Sequence, residues 1–201
     1  MKRLQKTAKG LDKLFSFIQK LTIAGCVFGG IVILFVWYLY IGDPDIAELL
    51  RGSLDFGSIS FTLSPSVMPA ENSFIWYLSL STVLGIIELP ILYMAFGSIR
   101  GILALMIDGT PFHEHIVHCI KRLGWLTLAG GIVDIASSLI LQGNLLTQYD
   151  LNALFLNDKI TGFTVQSTWD FTFVLFAVVL FLLAQVFQYG LELQQLSDET
   201  L

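Results

Sequence analysis

Residues 21–41 contain no Asp, Glu, Lys, Arg or His, and that uninterrupted apolar run limits what the chain can become. At 1.5 Å per residue, a helix over it extends about 31 Å, the thickness of a bilayer's hydrocarbon core. Three further apolar blocks follow, at 74–98, 123–142 and 169–189. The second is interrupted by Glu88 and Pro90, and the third carries Asp134. With 55% hydrophobic and only 13% charged residues, the chain has about half the charge a water-soluble domain needs to cover its surface. The expected fold is therefore all-α, an integral membrane four-helix bundle with an amphipathic N-terminal helix and small extracellular loops. Its segments are residues 1–20, the four-span region 21–189, and a tail over 190–201.

Orientation follows from the cations beside the spans, because Lys and Arg are retained on the cytoplasmic side. Lys2, Arg3, Lys6, Lys9, Lys13 and Lys20 precede the first span, and Arg100, Lys121 and Arg122 lie between the second and third. The other two connections hold only Arg51 and Lys159, and the tail holds none. Both termini are accordingly expected inside. Trp37, Tyr38, Trp76, Tyr77 and Trp169 then fall near the outer interface, with Trp125 and Tyr189 near the inner one. The basic start is too long and lacks the small-residue site of a cleavable leader. Cys26 falls in a span and Cys119 on the cytoplasmic side, so no disulfide is expected between them.

In the first 20 residues, Leu4, Ala8, Leu11, Phe15 and Ile18 recur at helical spacing with lysines between them. This pattern suits an amphipathic helix lying on an anionic leaflet; an extension of the first span is the alternative. In the loop 43–73, the alternation Ser58-Ile-Ser-Phe-Thr-Leu predicts a short strand or hairpin. Leu145–Leu156 predicts a short interfacial helix. Thr110 and Pro111 read as the cap and first turn of the third helix, and Asp170 as the cap of the fourth.

Two stretches carry a family pattern. Gly109-Thr-Pro111-Phe112 precedes a basic helix ending Arg122-Leu123-Gly124, and the last span runs into Gly190-Leu-Glu192-Leu193-Gln194, followed by Asp198. Over roughly residues 75–201 the chain resembles bacterial membrane proteins grouped as domain of unknown function 2975. The resemblance implies a four-helix inner-membrane protein without known catalytic activity. Some relatives are encoded beside small helix-turn-helix regulators, which implies a regulatory partnership.

Glu88 lies twelve residues before Arg100, and Asp134 twelve after Arg122. Each carboxyl is thus about 18 Å along its helix from the inner charges, near mid-bilayer. Uncompensated carboxyls cost about 2.5–3.5 kcal/mol there on insertion scales. They are expected to face the bundle interior, at least one of them protonated, because burial and a like charge both raise a carboxyl's pKa. One reading is a proton or ion site with Pro90, whose ring frees the carbonyl of Ile86. The other is hydrogen-bonded glue to Ser79, Ser81, Thr127, Ser137, Ser138 or Gln142.

His115, His118 and Cys119 have i, i+3, i+4 spacing that can suit a metal, although histidines also suit a basic helix start at a membrane surface. Gly25-x-x-x-Gly29 and Gly97-x-x-x-Gly101 permit close helix approach, within the bundle or in a homo-oligomer.

The tail surface of Glu192, Leu193, Gln194 and Asp198 is expected to meet a cytoplasmic protein. No nucleotide loop, nucleophile elbow or zinc-protease motif occurs. A non-enzymatic regulator or binding module is expected, with the lipid bilayer as surroundings, no cofactor and no direct nucleic-acid contact. The alternative is a small oligomeric transporter or proton-coupled channel.

Overall fold

A computed structural model describes residues 2–42, 53–56, 59–62, 71–109, 113–148 and 170–199. Helix α1 covers Lys2–Gly42 and is followed by strands β1 (Ser53–Phe56) and β2 (Ile59–Thr62). Three helices complete the chain: α2 (Glu71–Asp108), α3 (Glu114–Gln148) and α4 (Thr172–Glu199). All four helices are long and apolar enough to cross a membrane, which makes this a multi-pass membrane architecture. The strands pair antiparallel, with Leu54 opposite Phe61 and Asp55 opposite Ser60. The alternating stretch in the first loop thus supplies one strand of a hairpin.

Each helix outruns the apolar block that revealed it. α1 has 41 residues and is therefore about 60 Å long, twice the hydrocarbon thickness. Of the two readings of the first 20 residues, continuation of the span describes the backbone: the helix has no break between Lys20 and Leu21. Helical hydrogen bonding needs only consecutive peptide groups, so it continues where hydrophobicity stops. α2 likewise runs ten residues beyond 98, and α4 runs through Tyr189 to Glu199. Residues 145–148 belong to α3 rather than to a separate interfacial helix; 149–156 lie outside the described residues. α4 begins at Thr172, not at 169.

The chain divides into two compact units, one of residues 1–26, 87–134 and 170–201, the other of residues 27–86 and 135–169. In the first unit α1 and α2 run antiparallel along a polar seam. Gln5 Nε2 donates to the carbonyl of Ile107 at 3.0 Å, and Gln19 Nε2 to that of Tyr93 at 3.3 Å. Between them Arg100 donates from Nε to Asp12 and from Nη1 to Gln19 Oε1, each at 2.9 Å. Positions 5, 12 and 19 advance by sevens while 107, 100 and 93 retreat by sevens, the repeat of two helices keeping one face together. Phe15 and Phe96 pack beside the seam at 5.7 Å.

The remaining helices of this unit meet mainly through apolar packing. Ile116, Val117, Ile120 and Ala184 form a buried cluster covered by Ile102, Leu105, Leu180 and Phe187. Much of this cluster lies where the helices have passed beyond their apolar blocks and water can drive burial. α2 ends at Gly109, whose φ of 81° is the left-handed conformation that stops a helix at little cost only with glycine. Against α4, Gly124 and Gly131 admit the rings of Phe181 and Phe173. A Cβ on Gly131 would collide with the Phe173 ring.

In the second unit Trp37 Nε1 donates to Ser79 Oγ at 2.9 Å, and Trp37 meets Trp76 edge-on at 6.0 Å. The glycine pairs serve contacts inside the chain. Gly25 abuts Leu89, Gly29 abuts Ile86, Gly97 abuts Gln19, and Gly101 abuts Cys119.

Overpacking a helix contact of this kind costs about 1–3 kcal/mol. Gly131→Ala is expected to lower the thermal midpoint in detergent. Gly143→Ala, where no atom lies within 4 Å, should leave it unchanged, and adding Phe173→Ala to the Gly131 variant should recover part of the loss. A melting curve read by circular dichroism checks all three.

Candidate functional site

The two mid-span carboxyls share a level but not a bond. A Cβ on Gly130 would touch Ile91 at 3.6 Å. Glu88 lies nearly a turn before Ile91 and Asp134 a turn after Gly130, so the antiparallel pairing of α2 and α3 brings both to one height. Gly130 and Gly131 face α2 and α4 respectively. Glu88 is half-buried and Asp134 is exposed. The expectation that both carboxyls lie in the interior is therefore not met at Asp134, whose helix face at that level is not covered by a neighbouring helix.

Among the described residues neither carboxyl makes a hydrogen bond or ion pair, and three of the polar side chains expected to satisfy them bond elsewhere. Ser79 accepts from Trp37, Ser81 donates to Leu78, and Thr127 donates to Leu123 within its own helix. Ser137 Oγ is buried without a partner. The interhelical glue expected from sequence is thus not formed. Pro90 is exposed and sits inside an unbroken α2.

The histidine-rich turn separates into three roles. Nδ1 of His113 accepts the N–H of His115 at 3.1 Å, and its carbonyl accepts that of Ile116 at 2.9 Å. His113 therefore caps α3, which begins at Glu114, in the role expected of Thr110. Thr110 and Pro111 lie outside the described residues. Cys119 is buried and shares with His115 the face beside Gly101, whose added Cβ would lie 3.0 Å from the Cys119 sulfur and 3.5 Å from His115 Nε2.

His118 faces α4 instead. At 100° per residue, i+3 and i+4 diverge by that angle, enough to part His118 from Cys119. No group of three His, Cys, Asp or Glu side chains able to hold a metal occurs among the described residues. The expected set of His115, His118 and Cys119 is not assembled.

His118 instead lines a groove of about 380 Å³ between the ends of α3 and α4, with Glu114, Lys121, Gln188, Glu192 and Gln195 among its walls. Lys121 Nζ donates to Gln188 Oε1 at 3.0 Å and ties the walls together. Of the four tail residues singled out by sequence, Glu192 enters this groove, whereas Leu193 and Gln194 are exposed on the outside of α4. The side chain of Asp198 lies outside the described residues. Leu193 is 49% and Leu196 59% exposed, so the projecting helix presents an apolar outer face beside a charged groove.

Sequence reading missed the Arg100, Asp12 and Gln19 network, although the seven-residue steps of Gln5, Asp12 and Gln19 signalled it. It also missed His113 as a cap, since imidazole is an uncommon cap acceptor. No protein-family model matches this chain, and searches of curated proteins and of solved structures likewise return no match.

Asp170 caps α4, preceding the spanning helix. Its carboxylate accepts the Thr172 hydroxyl and, at 2.8 Å, the Thr172 amide. The hydroxyl bond first and the amide bond second hold its pKa below the ordinary 3.8. A depressed carboxyl stabilises the fold above its unfolded pKa and loses that contribution as pH falls through the folded value. The start of α4 is therefore expected to fray on acidification below about pH 4. Asp170→Asn retains a neutral acceptor and should remove this part of the pH dependence. Amide hydrogen exchange at residues 172–174, followed against pH, reads the difference.

Proposed function

We propose that this chain is a non-enzymatic bacterial inner-membrane protein, a four-helix bundle with both termini in the cytoplasm, that holds a partner protein at the membrane. The observation that carries the reading is the projecting end of α4 beside α3. There a helix that has left its apolar block keeps Leu193 and Leu196 exposed and lines a charged groove with Glu192. Large apolar side chains outside lipid are costly to leave in water, and an apolar patch with a polar rim is the usual form of a protein-binding surface. The cation distribution, nine on the side of the termini and two opposite, supports the cytoplasmic placement. Resemblance to the bacterial family supplies a partner class, a small helix-turn-helix regulator. Leu193→Ser with Leu196→Ser is expected to reduce partner recovery about tenfold in affinity purification from native membranes, since two partly buried leucines contribute on that order. Undiminished recovery from a correctly inserted variant overturns the reading.

A second reading draws on the middle of the spans. An exposed Asp134 level with an unbonded, half-buried Glu88 offers two mid-span carboxyls to a proton or cation path. An oligomer of the chain would complete such a path. Under this reading Glu88→Gln abolishes proton or cation flux in proteoliposomes while leaving the yield of folded protein unchanged. Flux equal to that of wild type removes it.

A further inference from the structure

The N-terminal lysines form a ladder along α1 rather than a flat basic face. At 100° per residue Lys6, Lys9, Lys13 and Lys20 fall within about 60° of arc. All four are exposed, and among the described residues none makes a hydrogen bond or ion pair. The acid closest to them in sequence, Asp12, points to α2 and is held by Arg100 at 2.9 Å. Lys6, Lys13 and Lys20 repeat at the same seven-residue step as the seam of Gln5, Asp12 and Gln19, on a separate face. Beside the lysine stripe, on the adjoining arc of the helix, lie Leu14, Phe17 and Leu21, which are 52%, 65% and 60% exposed. A cationic stripe beside a stripe of large exposed apolar groups suits neither bulk water nor hydrocarbon. They suit the layer between, where lysine stems lie along acyl chains and the ammonium groups reach outward.

The backbone sets where that layer falls. α1 is one helix, and its charge-free run begins at Leu21, immediately after Lys20. Lys13 is about 10 Å and Lys6 about 21 Å further along the axis. The headgroup zone adds about 5–8 Å to each side of the hydrocarbon, so Lys20 and Lys13 bracket it. Lys9 stands within the ~8–10 Å over which charge acts at physiological salt.

We propose that this ladder, centred on Lys13, Phe17 and Lys20, selectively binds anionic phospholipid headgroups. The lysines pair with lipid phosphates, and the ring of Phe17 rests against the glycerol and upper acyl region. This surface is separate from the α3–α4 groove and from the outer face of the tail, so it stands whether or not those surfaces hold a protein.

The test uses the full chain in nanodiscs of phosphatidylcholine with and without phosphatidylglycerol, released into native mass spectrometry. Wild type is expected to retain phosphatidylglycerol in preference to phosphatidylcholine. Replacing Lys9, Lys13 and Lys20 by Gln should reduce that preference at least tenfold, as expected when each lysine near an anionic surface contributes severalfold. The corresponding triple Arg variant should keep it. Raising salt from 0.05 to 0.5 M should weaken the wild type's retention of phosphatidylglycerol, a readout independent of whether the Gln variant folds.

Equal retention of the two lipids by wild type, an unchanged preference in the folded Gln variant, or a flat salt response overturns the proposal. So does loss of an acidic protein from the variant's pull-down with lipid preference intact, which assigns the ladder to a protein partner.

Discussion

Inside hydrocarbon an apolar side chain gains almost nothing by moving from lipid to protein, while an unpaired peptide group costs several kcal/mol. That asymmetry governs this molecule. It makes each span a helix regardless of what the helix touches, and it leaves pairing between helices to other forces. The apolar windows of the four spans accordingly bury only 6–11% of their residues. The well-buried cluster around Ile116, Ile120 and Ala184 includes positions that lie beyond the apolar blocks, where exposure to water would be costly.

Register between helices is then set by a few specific contacts. The α1–α2 seam uses polar groups: Gln19 gives its amide hydrogens to one backbone carbonyl and its oxygen to Arg100, so both ends of that side chain are engaged. A slip of one residue would separate Arg100 from Asp12 and leave a charge without its partner, an error costlier than the modest value of the bond itself. Against α4 the same task falls to shape, with Phe173 and Phe181 seated on glycines that leave no room for a side chain. Both devices discriminate by penalising the wrong arrangement. This is how a protein with little hydrophobic drive between its spans can still specify one packing.

How far the candidate sites could be read from the chain varied with their chemistry. Glu88 and Asp134 stood out because a carboxyl in a span is conspicuous, and counting from Arg100 and Arg122 placed them at a common height. Their freedom from hydrogen bonds could not be inferred, because Ser79 and Thr127 had other acceptors or donors available and used them. The His115, His118 and Cys119 spacing appeared adequate on a helical wheel. Yet the helix meets one neighbour at Gly101 and another at Gln188, and two neighbours divide a face that a wheel draws as one. His113 as a cap and Arg100 as a bridge escaped notice because each depends on where another segment ends.

Hydropathy alone determined that four helices are long and apolar enough to cross a membrane, because the length of an apolar run and the cost of an unsatisfied peptide group are properties of a single segment. Only tertiary structure decided how far the helices continue past those runs, which polar side chains pair, and which candidate clusters fall apart. Those outcomes depend on distances between segments remote in the chain. A carboxylate, an amide or an imidazole has the same formula whether it finds a partner across the seam or none at all.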